Sequence, residues 1–75
     1  MAIREARERS GLSQREVSRR VGMGVDESWL GKVERGQRTI DVVEFIAVAK
    51  ACNTDPLELL GNVMVLIQKS RLNEP

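Results

Sequence analysis

Histidine and tyrosine are missing from this 75-residue chain, and cysteine, phenylalanine and tryptophan occur once each. Without an imidazole there is no histidine base and no mixed histidine–cysteine zinc site. A single cysteine, Cys52, cannot close an intrachain disulfide or fill a four-cysteine zinc site. One Phe and one Trp are too few to build an aromatic platform for stacked bases. No apolar run reaches the roughly 18 residues needed to cross a bilayer. Charge beginning at Arg4 is not what a signal peptide shows. These absences argue against enzyme chemistry, a metal centre, a cofactor site or a membrane partner. They leave a small cytoplasmic binding domain as the expectation. A single domain of this length buries only about 60% of its unfolded surface, and its stability is correspondingly modest.

The formal net charge is only +1, but it is unevenly spread. Residues 1–38 hold nine Lys/Arg against six acids, whereas residues 39–75 hold three against five. A basic half beside an acidic half suggests that the first faces a polyanion.

The punctuation of the chain is helical. Ser13-Gln14-Arg15-Glu16 has capping-box spacing, with Leu12 and Val17 placed as a hydrophobic staple. Asp41-Val42-Val43-Glu44 repeats the pattern, with Ile40 and Phe45 as its staple. Asp55-Pro56-Leu57-Glu58 puts proline at the first helical position, where a missing N–H costs nothing. Gly11, Gly22, Gly36 and Asn53 fit left-handed C-terminal caps. Together these signals predict an all-α fold of five helices at about 2–9, 13–21, 27–35, 42–52 and from 56 onward. Val17 and Val21 form one face of the second, and Val42, Phe45, Ile46, Ala49 and Cys52 form a stripe on the fourth. Residues 63–67 are rich enough in β-branched side chains to form a strand, and periodicity does not decide between strand and helix. Residues 1–61 are read as the domain proper, 62–75 as an apolar C-terminal segment with a frayed end.

The third helix is the informative one. On a wheel of about 100° per residue, Trp29, Leu30 and Val33 gather on one side. Glu27, Ser28, Gly31, Lys32 and Arg35 gather on the other. Lys can donate to guanine, Glu can accept from cytosine N4, and Ser can do either. Gly31 would let the helix backbone approach a groove wall closely. Preceding this helix is a short basic helix whose first residues, Ser13 and Gln14, offer amides and a positive dipole end to a phosphate. Two helices joined by a glycine turn, one crossing a backbone and the next entering a major groove, form a helix-turn-helix.

The pattern of Gly11-Leu12-Ser13-Gln14, Val17, Val21-Gly22, Val33-Glu34-Arg35-Gly36, Ile40, residues 47–51 and Asp55-Pro56-Leu57-Glu58-Leu59-Leu60 resembles the Cro/C1-type (Xre family) helix-turn-helix repressors. Gly11-Leu12-Ser13-Gln14 with Gly22-Met23-Gly24 is also similar to lambda repressor. The likeness spans about residues 3–60. It implies a five-helix lambda-repressor-like domain that binds operator DNA as a dimer and regulates transcription, most often as a repressor. It also implies an Arg7–Glu34 pair across the first and third helices, and backbone contact by the Gln37–Arg38 loop. The chain departs from the family in carrying about two extra residues between Gly22 and Val33, at Met23-Gly24-Val25-Asp26, and in having acidic Glu27 where a neutral amide is common.

The expected interface therefore has Glu27, Ser28, Gly31 and Lys32 at base edges, and Gln14, Arg15, Arg35, Gln37 and Arg38 on phosphates. Arg4 and Arg19 are further candidates for phosphate. Trp29 belongs to the core, and Met1, Met23 and Met64 are gap-fillers or termini rather than a metal box. Cys52 is a small buried hydrophobe. Gly22-x-Gly24 lacks a preceding strand and a third glycine, so it is turn chemistry rather than a dinucleotide fingerprint. Leu60, Met64 and Ile67 share a face if the last helix continues past Gly61, and that face would join two copies into a homodimer. The alternative is an antitoxin or protein-interaction module of the same fold, whose apolar end binds a toxin or other partner.

Overall fold

A computed structural model describes residues 2–71, with side chains described to residue 68. Five helices make up its regular structure: α1 (Ala2–Arg9), α2 (Gln14–Val21), α3 (Trp29–Glu34), α4 (Val42–Ala51) and α5 (Pro56–Arg71). Helix starts follow the polar signals in the sequence. The Ser13 hydroxyl accepts from the Glu16 amide at 3.0 Å. Asp41 forms a complete capping box, accepting from the Glu44 amide at 2.7 Å while Glu44 accepts from the Asp41 amide at 2.9 Å. Asp55 accepts from the Leu57 amide at 3.0 Å. Each such cap is worth about 1 kcal/mol. Gly11, Gly22, Gly36 and Asn53 all take positive φ where the chain leaves a helix or turns.

The core is drawn from every helix. Val17, Trp29, Leu30, Val48 and Leu59 are fully or almost fully buried, joined by Ile3, Ala6, Val33, Ala49 and Cys52. α2 packs on α4 and α3, and α5 packs on α1 and α4. Two expectations change and one open choice is settled. The stripe on α4 runs through Val48, Ala49 and Cys52, with Phe45 half-buried, while Val42 (70% exposed) and Ile46 (38%) face outward. The helix expected from residue 27 begins at Trp29. The choice left open at 63–67 resolves as helix, because α5 is continuous through Gly61-Asn62. The boundary expected after residue 61 thus falls inside one helix. Met1 and the expected frayed end, residues 72–75, lie outside the described residues.

Candidate nucleic-acid interface

α3 is only six residues long, too short to be stable alone, so its neighbours must hold it. Trp29 and Leu30 anchor it by burial. A polar tie adds direction: the Leu30 amide, one of the orphan donors of the first turn, donates to the buried Ser18 hydroxyl of α2 at 3.1 Å. Ahead of the helix, Asp26 Oδ1 accepts from both the Ser28 amide (2.9 Å) and the Ser28 hydroxyl (2.7 Å). Those bonds from Ser28, side chain first and then backbone, hold the Asp26 carboxyl below its ordinary value. In the turn between α2 and α3, Gly22, Met23 and Gly24 have φ of 63°, 56° and 78°. At Gly22 the ψ of −126° completes a mirror-β conformation that favours glycine.

At the other end of α3, Glu34 is the junction of three helices. Its side chain is fully shielded from water. Arg7 of α1 donates to Oε2 at 2.8 Å and to Oε1 at 3.1 Å. Gln14 of α2 donates to Oε1 at 3.0 Å, and Arg4 donates to the same oxygen at 3.3 Å. Burial by itself would raise the Glu34 carboxyl, but the bonds from Arg7, Gln14 and Arg4 outweigh it and hold the group below the ordinary glutamate value. Glu34 raises the Arg7 guanidinium against the cost of its burial. The pair implied between α1 and α3 is present, with two further donors. A buried ion pair of this kind fixes orientation more than it adds stability.

The side of α3 turned away from Trp29 and Leu30 is open at Ser28, Lys32 and Arg35. Gly31, expected at a groove wall, differs from these in exposure. It is buried, and a Cβ there would stand 3.0 Å from Gln14 Oε1 and 3.2 Å from Arg35 Nη1. Glu27 is exposed but lies outside the helix, so the wheel does not describe where it points. Arg15 and Arg19 of α2 hold its carboxylate, each at 3.0 Å. Gln14 is half-buried with its amide committed to Glu34. Arg35 donates to the Gln37 side chain at 3.3 Å, and Gln37 and Arg38 are exposed in the following loop. Ser28, Lys32, Arg35, Gln37 and Arg38 are thus exposed along α3 and its flanking turns, with Arg15 and Arg19 exposed on the adjoining helix. Among the described residues no cluster of metal-ligating side chains occurs, and no helix is long and apolar enough to cross a membrane.

This layout has a counterpart among known proteins. Residues 1–60 match the family described as a helix-turn-helix domain. The chain belongs to that helix-turn-helix family. It is also similar to the restriction-modification controller protein C.AhdI from Aeromonas hydrophila, whose crystal structure it matches at a TM-score of 0.67 with 40% identity, over 77% of this chain and 81% of that one. No curated protein matches. The Cro/C1-type resemblance and the five-helix, all-α fold stand on these findings. In helix-turn-helix terms α2 is the supporting helix and α3 the reading helix. Ser18, which ties the two together, escaped the sequence reading. Its signal was a small hydroxyl residue beside Val17 and close to Val21, where a fully apolar face would have been expected.

Proposed function

We propose that this protein is a cytoplasmic transcriptional regulator, acting as a repressor, that binds operator DNA as a homodimer with α3 in the major groove. Lys32 and Ser28 meet base edges. Gln14, Arg15, Arg35, Gln37 and Arg38 hold phosphates, Gln14 through the backbone amide at the start of α2. The reading rests above all on one observation: a short helix fixed from behind by Trp29, Leu30 and the Ser18 bond presents Ser28 and Lys32 to water. Membership of the helix-turn-helix family and the likeness to a controller protein support it.

The dimer is supported by an apolar surface on the opposite packing partners. Leu57, Leu60, Met64 and Ile67 recur at three- and four-residue steps along α5, and all are exposed. Beside them Ile3, Ile40, Phe45, Val63, Leu66 and Ile67 line an open apolar cavity of about 370 Å³. A second copy seated there would set two reading helices on successive turns of one duplex, about 34 Å apart.

Lys32→Ala tests the base-reading role. If Lys32 pairs with guanine, the change costs about 1–3 kcal/mol on the preferred site and relaxes preference at one base pair. Uniform weakening on every sequence would make Lys32 a phosphate contact instead. Selection of bound duplexes from a random pool supplies the preferred site and reveals whether it has two-fold symmetry.

A further inference from the structure

Glu27 stands in the turn before α3, and each of its carboxylate oxygens is met by the Nε of a different arginine, Oε2 by Arg15 and Oε1 by Arg19, both at 3.0 Å. The two arginines lie one helical turn apart on α2, and all three side chains are at least half exposed. The hydrogen bond and charge of Glu27 raise the Arg19 guanidinium. Two guanidinium groups around two anionic oxygens is also how a DNA phosphate is held. No hydrophobic packing depends on this carboxylate, and exposed ion pairs contribute little net stability. Exchanging one oxyanion for another is therefore cheap. The other acids nearby are held differently: Glu16 makes longer ion pairs with Arg19 at 3.7 Å and Arg20 at 3.8 Å, Asp26 is committed to Ser28, and Glu34 is shielded beneath Arg7 and Gln14.

From this geometry we infer that Glu27 is an internal stand-in for a backbone phosphate and a specificity-determining residue. It occupies Arg15 and Arg19 in the free protein and competes with DNA for them. On a random duplex the competition lowers affinity. On the preferred site the carboxylate is released to accept from an exocyclic base amine, which offsets the loss. Glu27 thus suppresses sequence-independent binding and widens the ratio between right and wrong sites. This inference rests on the DNA-binding reading above.

The test measures Kd by fluorescence anisotropy on a random-sequence duplex and on a selected duplex, from about 50 to 300 mM KCl, a range in which phosphate contacts dominate the response. Glu27→Gln is expected to bind the random duplex about tenfold more tightly at the low-salt end, with a salt slope steeper by about 0.9, the contribution of one further phosphate. The ratio between selected and random duplex falls. Glu58→Gln, an equal charge change at an exposed position on α5, leaves all three quantities unchanged. Combining Arg15→Gln and Arg19→Gln with Glu27→Gln abolishes the gain. If Glu27→Gln matches the unaltered protein in slope and ratio, or if its gain survives loss of both arginines, the stand-in role is wrong while DNA binding stands. If neither the unaltered protein nor Glu27→Gln binds duplex in a salt-dependent way, the DNA-binding reading falls and this inference with it.

Discussion

Ser18 shows how much one hydroxyl can carry in a domain this small. It is 1% exposed and accepts the Leu30 amide that α3 cannot satisfy internally. Ser18→Ala leaves that donor buried without a partner and should cost about 1–3 kcal/mol. Urea unfolding measures the loss, and a change below a few tenths would mean that water takes over the bond. Gly61 offers the opposite case. It lies inside α5 with helical neighbours, and nothing stands within 4 Å of where a Cβ would be. Gly61→Ala should stabilise the domain by about 0.5–1 kcal/mol, chiefly by narrowing the unfolded ensemble. A destabilised variant would show that the Gly61 surface is covered in solution. Gly31 looks like the same residue type in the same structure, but its space is filled by Gln14 and Arg35. Sequence alone could not separate the two glycines, because the difference is made by side chains on another helix and in the following turn.

At the level of elements, what could be read early was what local chemistry decides. Ser13, Asp41 and Asp55 cap the helices they were expected to cap. The glycine exits at 11, 22 and 36 have the positive φ their residue type favours. What could not be read is what tertiary contact decides. Asp26 captures Ser28 and delays α3 by two residues, which removes Glu27 from the helical wheel. Val48 displaces Val42 and Ile46 as the buried side of α4 because α4 packs on both α2 and α5, and a single stripe cannot serve two neighbours. Glu34 links α1, α2 and α3, and its carboxyl is held below the ordinary glutamate value of about 4.3. A depressed acid stabilises the fold fully above its unfolded value and loses that contribution as pH falls through its folded value. Stability should therefore decline on acidification below about pH 4.3, and Glu34→Gln should flatten that decline. Denaturant midpoints taken across this range give the comparison, and parallel curves for the two proteins would count against the assignment. Glu34→Ala should cost about 3 kcal/mol at neutral pH, because it strands Arg7, whose side chain is only 14% exposed.

For the whole molecule, division of labour is the organising fact. α2 and α3 carry the exposed strip with Ser28, Lys32 and the arginines, while α5, packed on α1 and α4, carries exposed Leu57, Leu60, Met64 and Ile67. An apolar row of that length is unusual on a monomer's surface. Ile67→Asp should yield monomers in sedimentation velocity while leaving helical content intact, and DNA affinity should fall because two half-sites are no longer engaged together. A dimer that persists would put the interface elsewhere, and co-purification of a stoichiometric foreign chain would favour the interaction-module alternative.

The three-way junction at Glu34 also limits how this domain can be cut. The α2–turn–α3 segment contains the surface proposed to meet DNA, yet both guanidinium groups that bond its shielded carboxylate, those of Arg4 and Arg7, sit on α1. Grafting the two-helix segment onto a foreign scaffold would carry along an acid stripped of its guanidinium counterions. The recognition surface is thus not a portable cassette: an engineer who wants its specificity must move the first helix with it.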